Sequence, residues 1–149
     1  MRGLVLALAL PVVGCVHTPQ PSASAPVCDS PSIGERSECL LTRAQDLQSQ
    51  LEQEEAALLS ELQAADARAT AETGTGRSLS QEFERSRDAW REYRDAECSL
   101  AYATAFGGAI RGLKAATCLG ELNEERLGRV RAQRAMLSEA SPTQESATP

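Results

Sequence analysis

Residues 90–98 read Trp90-Arg91-Glu92-Tyr93-Arg94-Asp95-Ala96-Glu97-Cys98, and how this stretch is read decides the fold. As a helix, it places Phe83, Trp90, Tyr93, Glu97 and Leu100 near one face, because residues three, four and seven apart stack along a helix. Three of the chain's five aromatic residues fall on that stripe. Cys98 follows Tyr93 by about one turn, and Cys118 is the only cysteine downstream of it. Between the two cysteines stands Gly107-Gly108, and beyond them Arg126.

Upstream, Glu35 to Glu72 runs without Pro or Gly and is rich in Ala, Leu, Glu and Gln, all good helix formers. Leu40, Ala44, Leu47, Leu51, Leu58, Leu62 and Ala65 recur in it at spacings of three, four and seven, an apolar seam of coiled-coil type. Glu52 to Glu55 interrupts the seam and reads as a solvated stretch. Thr73-Gly74-Thr75-Gly76 ends this helix. Ser78-Leu79-Ser80-Gln81 then has the form of a capping box, which starts a second helix running to about Thr104. Gly107-Gly108 breaks it. The segment from Ala109 to Ala116 is ambiguous, a short helical turn at most. A third helix is expected from Cys118 to Leu137, with Leu119, Leu122, Leu127 (or Arg126), Val130 and Leu137 on its apolar side. No run alternates apolar and polar as a strand would. The fold class is therefore all-α, an antiparallel bundle of about three helices with short connections.

The ends read differently. Met1-Arg2-Gly3 and an apolar run from Leu4 to Leu10 have the layout of a secretory signal, too short to span a bilayer. Val12-Val13-Gly14-Cys15 has the form of a bacterial lipobox, with cleavage before Cys15 and a diacylglycerol on its thiol. The expectation is a lipoprotein signal at 1–14, lipidation at Cys15 and a Pro/Ser/Ala-rich disordered tether at 15–27. A helical domain follows at 28–137, then a disordered tail at 138–149. Such a chain is secreted across the inner membrane and anchored by lipid in the cell envelope, on the periplasmic side or at the outer membrane.

Composition narrows the function. The chain carries 15 basic and 21 acidic side chains over 149 residues. Loss of Arg2 with the signal leaves a formal charge of −7. Nucleic-acid binding needs clustered Lys and Arg, so it is excluded; a basic protein partner is favoured. Five cysteines is an odd number, but lipidation of Cys15 leaves an even set of four, as suits an oxidising compartment. Four cysteines allow three pairings, of which the local one is the simplest. Their spacings lack the close pairs of a structural zinc site. His17, the only histidine, lies in the tether, so no histidine in the domain can activate a nucleophile. Asp95 and Glu97 are two apart and point to different sides of a helix. Gly107-Gly108 is not part of a phosphate loop. No catalytic residue, cofactor site or metal site emerges.

The combination of Trp90-x-x-Tyr93-Arg94-Asp95-Ala96-x-Cys98, the Gly107-Gly108 pair, Cys118 and a closing helix with Leu and Arg resembles the LprI-type lysozyme-inhibitor domain family. The resemblance covers residues 28 to 137. It implies disulfides Cys28–Cys39 and Cys98–Cys118, and a domain that binds and inhibits a lysozyme-type muramidase, an enzyme that is usually basic. The chain departs from the family pattern at Arg87-Asp88 and at Ala109. Trp90 reads as a core residue, and Arg94 as a packing residue paired near Asp95 or with Glu97, Glu121 or Glu125. The candidate partner-binding set is Tyr93, Arg94, Asp95, Glu97, Gly107 and Gly108, with the loop at Phe106–Arg111 at the partner-facing end. The alternative is a structural or adaptor lipoprotein that uses the long seam of the first helix to bind another envelope protein.

Overall fold

The structure, a computed structural model, describes residues 28–73 and 78–140. The expected lipidation at Cys15, the tether and the segment after Ala140 lie outside the described residues. Within them the chain forms α1 (Ile33–Thr73), α2 (Leu79–Thr104) and α3 (Gly108–Ala140). The three make an up-down-up bundle in which α1 and α3 run parallel and share the most extensive contact. No strand occurs among the described residues.

Each start has a local cause. Ser32 caps α1, its Oγ accepting from the Glu35 amide at 3.4 Å while its carbonyl accepts from Arg36 N at 3.0 Å. Ser78 caps α2 as its sequence pattern suggests, accepting from Gln81 N at 3.3 Å. A second cap comes from α1. The Asp66 carboxylate accepts from Leu79 N at 2.8 Å, Ser80 N at 3.0 Å and Ser80 Oγ at 2.7 Å. Those donors hold the Asp66 carboxyl down at about 2, the Ser80 hydroxyl contributing most.

α3 begins at Gly108, ten positions earlier than its apolar pattern indicates. The ambiguous segment is helical because it packs on α1. A Cβ at Gly112 would lie 3.0 Å from Ser37 Oγ, so this glycine lets the two helices approach. α3 also continues to Ala140, three residues into the expected tail.

The core joins Leu51, Leu58 and Leu62 of α1 to Phe83 of α2 and Leu127 and Val130 of α3, with Leu47, Leu59, Trp90 and Leu137 packed against it. The seam of α1 thus lies where its periodicity puts it. The stripe on α2 does not. Phe83 is buried and Trp90 half-buried, but Tyr93, Glu97 and Leu100 face solvent. The inner face of α2 is turned toward Arg87, Arg91, Arg94 and Cys98 instead. Two demands rotate it: Cys98 must reach Cys118 on α3, and Arg91 and Arg94 meet acceptors on the neighbouring helices.

The most consequential acceptor is Glu55. It is only 3% exposed, although its neighbours Glu52 and Gln53 are solvated as expected. It accepts from Arg91 at 3.2 Å and from Arg126 at 3.4 Å. The Arg126 guanidinium lies 5.6 Å from the Trp90 ring centroid and 5.9 Å from that of Phe83. A charge in the core is tolerated here because it is paired and its partner is covered by aromatic faces. Further out, Arg134 donates to Glu54 and Glu61, and Arg131 to Glu54. The Arg134 and then the Arg131 hydrogen bonds lower the Glu54 carboxyl below its ordinary range.

Candidate partner-binding end

Only three residues, Ala105 to Gly107, separate α2 from α3. Ala105 is buried and closes α2 in an extended conformation. Phe106 follows and is 91% exposed. Gly107 then takes φ +115°, a conformation that L side chains rarely adopt. The turn is therefore tight and its direction is set by the glycine.

Several bonds brace this tip. Cys98–Cys118 ties the last two turns of α2 to α3, with Cα atoms 5.5 Å apart. Arg111 donates from Nε to the Ala105 carbonyl at 3.0 Å, satisfying an acceptor that the end of α2 leaves open. Its guanidinium also lies 5.8 Å from the Tyr102 ring centroid. Cys28–Cys39 pins the entering chain to the first turns of α1. Because α1 and α3 run parallel, that pinned segment and the tip sit at the same end of the bundle.

The sequence-derived candidates divide between two sides of α2. Asp95 borders a shallow hollow lined by Cys98, Ser99, Tyr102, Ala115 and Leu119. Tyr93 and Glu97 are exposed but lie two residues from Asp95 on either side, hence on the other flank of the helix. Gly107 and Gly108 form the tip itself, and a Cβ at either would meet nothing within 4 Å. Arg94 belongs to the interior. Its side chain is 14% exposed and lies 5.1 Å from the Trp90 ring centroid. It donates to Asp95 at 2.7 Å, to Gln48 of α1 and to Asn123 of α3. It therefore packs the helices, as its packing reading has it. Its partners are Asp95, Gln48 and Asn123, not Glu97, Glu121 or Glu125.

The helix ends that the turn joins carry further exposed apolar side chains. Leu100, already on the helix stripe, and Tyr102 and Ile110, which the helix pattern does not single out, are all exposed. The available signal was Phe106 itself, an aromatic placed directly before Gly-Gly where no helix face could bury it. Glu92 and Glu97 add exposed carboxylates without an ion pair among the described residues. No group of three or more potential metal ligands occurs among the described residues, and no described helix is long and apolar enough to cross a membrane. The arrangement offers a rigid, apolar projection, suited to contact with another macromolecule. A family model described as "Lysozyme inhibitor LprI" matches residues 28–129. No curated protein and no solved structure matches the chain.

Proposed function

The chain belongs to the LprI lysozyme-inhibitor family, and from that premise we propose that it is an envelope-anchored lipoprotein whose helical domain binds and inhibits a lysozyme-type muramidase. The observation that carries the reading is the family match over residues 28–129, which takes in both disulfides, all of α1 and α2 and the first two thirds of α3. Two physical features support it. The net negative charge suits a basic enzyme and speeds encounter with it. The braced tip offers a contact surface that needs little ordering on binding, which preserves affinity.

The adaptor alternative needs an open seam on α1. Ala44, Leu51, Leu58 and Leu62 are instead buried in the bundle, so the surface it would use is occupied. Cys15 and its tether supply the anchor in the inhibitor reading. Lysis of cell-wall substrate by c-, g- and i-type lysozymes, titrated with the disulfide-bonded protein, tests the function. Dose-dependent loss of lysis by at least one type is expected. Full lysis by all three at saturating protein rejects it.

A further inference from the structure

We propose that Phe106 is the residue that plugs the target enzyme's saccharide cleft, with the Ala105–Gly108 turn as its rigid mount. This deepens the inhibitor reading and rests on it. Phe106 is 91% exposed, so its ring does nothing for the fold, yet the surrounding structure is spent on holding it outward. Gly107 sets the turn at φ +115°. The Arg111–Ala105 bond fixes the turn's N-terminal side at 3.0 Å, and the Cys98–Cys118 bridge fixes the two helices behind it. The absence of a Cβ on Gly107 and Gly108, both open to solvent within 4 Å, lets backbone of the partner come close beside the ring.

The chemistry of the occupant follows from the shape and charge. A muramidase cleft binds N-acetylated sugar rings, which present apolar faces, and an aromatic ring can fill the same space. An aromatic residue contributes large contact area with few rotatable bonds, which is why such residues dominate interface energetics. Glu92, Asp95 and Glu97 stand on α2 about two to three turns short of its C-terminal end, and Arg111 and Lys114 lie in the first turns of α3. The occupant is therefore set by the family match, which names a lysozyme, and by the net negative charge of the whole chain, which suits a basic protein.

The test uses the full chain with both disulfides and two variants, Phe106→Ala and Phe106→Trp. It reads lysozyme inhibition, melting temperature and competition by tri-N-acetylchitotriose. Phe106→Ala should keep its melting temperature and weaken inhibition about thirtyfold, the size of a hot-spot truncation. Phe106→Trp should restore most of it, and chitotriose should compete with the native chain. Inhibition by the native chain that Phe106→Ala leaves intact overturns the assignment while the inhibitor function stands. Non-competition by chitotriose overturns it equally. Failure of the native chain to inhibit any lysozyme removes both. Phe106-dependent binding to zwitterionic lipid vesicles, without effect on lysozyme, gives the tip to lipid and overturns the plug.

Discussion

Trp90 and Glu55 show how much of this bundle depends on single side chains. Trp90 is half-buried against the core and lies against Arg94 and Arg126. Trp90→Ala should cost about 3 kcal/mol, combining lost burial with lost cation–π contact. It should impair binding only through unfolding, which thermal denaturation beside a binding assay can check. Retained melting temperature with lost binding would move Trp90 to the interface. Glu55→Ala removes the carboxylate paired with Arg126, whose side chain is nearly buried. Breaking such a pair costs about 3–5 kcal/mol, whereas an apolar pair in its place is often neutral or better. Glu55→Ala should therefore be severely destabilised in urea, and Glu55→Leu with Arg126→Met should recover most of the loss. The Trp90 environment was legible because aromatic residues at helical spacing seek the core. Glu55 was not, since a lone sequence cannot distinguish a buried carboxylate from solvated neighbours such as Glu52 and Gln53 when its partners sit 36 and 71 positions away.

At the level of elements, helices and their caps were legible, while their rotation and the reach of α3 were not. Seam spacing placed α1, and Ser78 placed the start of α2. The inner face of α2 depends on cross-helix arginine pairing and on the disulfide, neither of which leaves an apolar periodicity. The glycines of α3 lowered its local helix propensity, and packing against α1 overrode that. Asp66 yields a pH test. Its carboxyl is held at about 2 against an ordinary 3.8, and Glu54 is also lowered. A depressed carboxylate contributes stability above its unfolded value, and that contribution is lost as pH falls through the folded value. Melting temperature should thus fall between about pH 4.5 and 2, and Asp66→Asn should flatten the lower part of that fall. An unchanged acid profile would show that Asp66 does not hold α2. The disulfides differ in kind. Chain entropy assigns about 3 kcal/mol to each, given separations of 11 and 20 residues. Cys98→Ala should nonetheless cost more than Cys28→Ala in chemical denaturation, because Cys98 is buried between packed helices and Cys28 ties down a chain end.

For the molecule as a whole, the pinned N-terminal segment and the Phe106 tip lie at one end, so an anchored domain would present its tip toward the membrane. Residues 16–27 separate Cys28 from Cys15 and reach about 45 Å at full extension. That span admits a small enzyme between tip and bilayer. Deleting half of these residues should weaken inhibition by the membrane-bound protein and leave the detergent-free domain unaffected. The charge pattern gives a second expectation. Asp95→Lys and Glu97→Lys should slow association with a basic lysozyme severalfold at low salt, and Glu52→Lys, halfway along α1, should do so less. The differences should fade at physiological ionic strength, where screening acts within about 8 Å. Equal effects from all three would discard this end as the interface. The charge and the family pattern were legible before any fold was known; the tip was legible only in part, because exposure of Phe106 depends on how closely α2 and α3 are tied. Hydrogen exchange of the chain with and without a lysozyme it inhibits reads the interface directly. Protection should rise across residues 98–112 and stay unchanged around Met136 at the far end. Protection confined to the Met136 end, or none at saturating enzyme, would contradict an inhibitor that works through this tip.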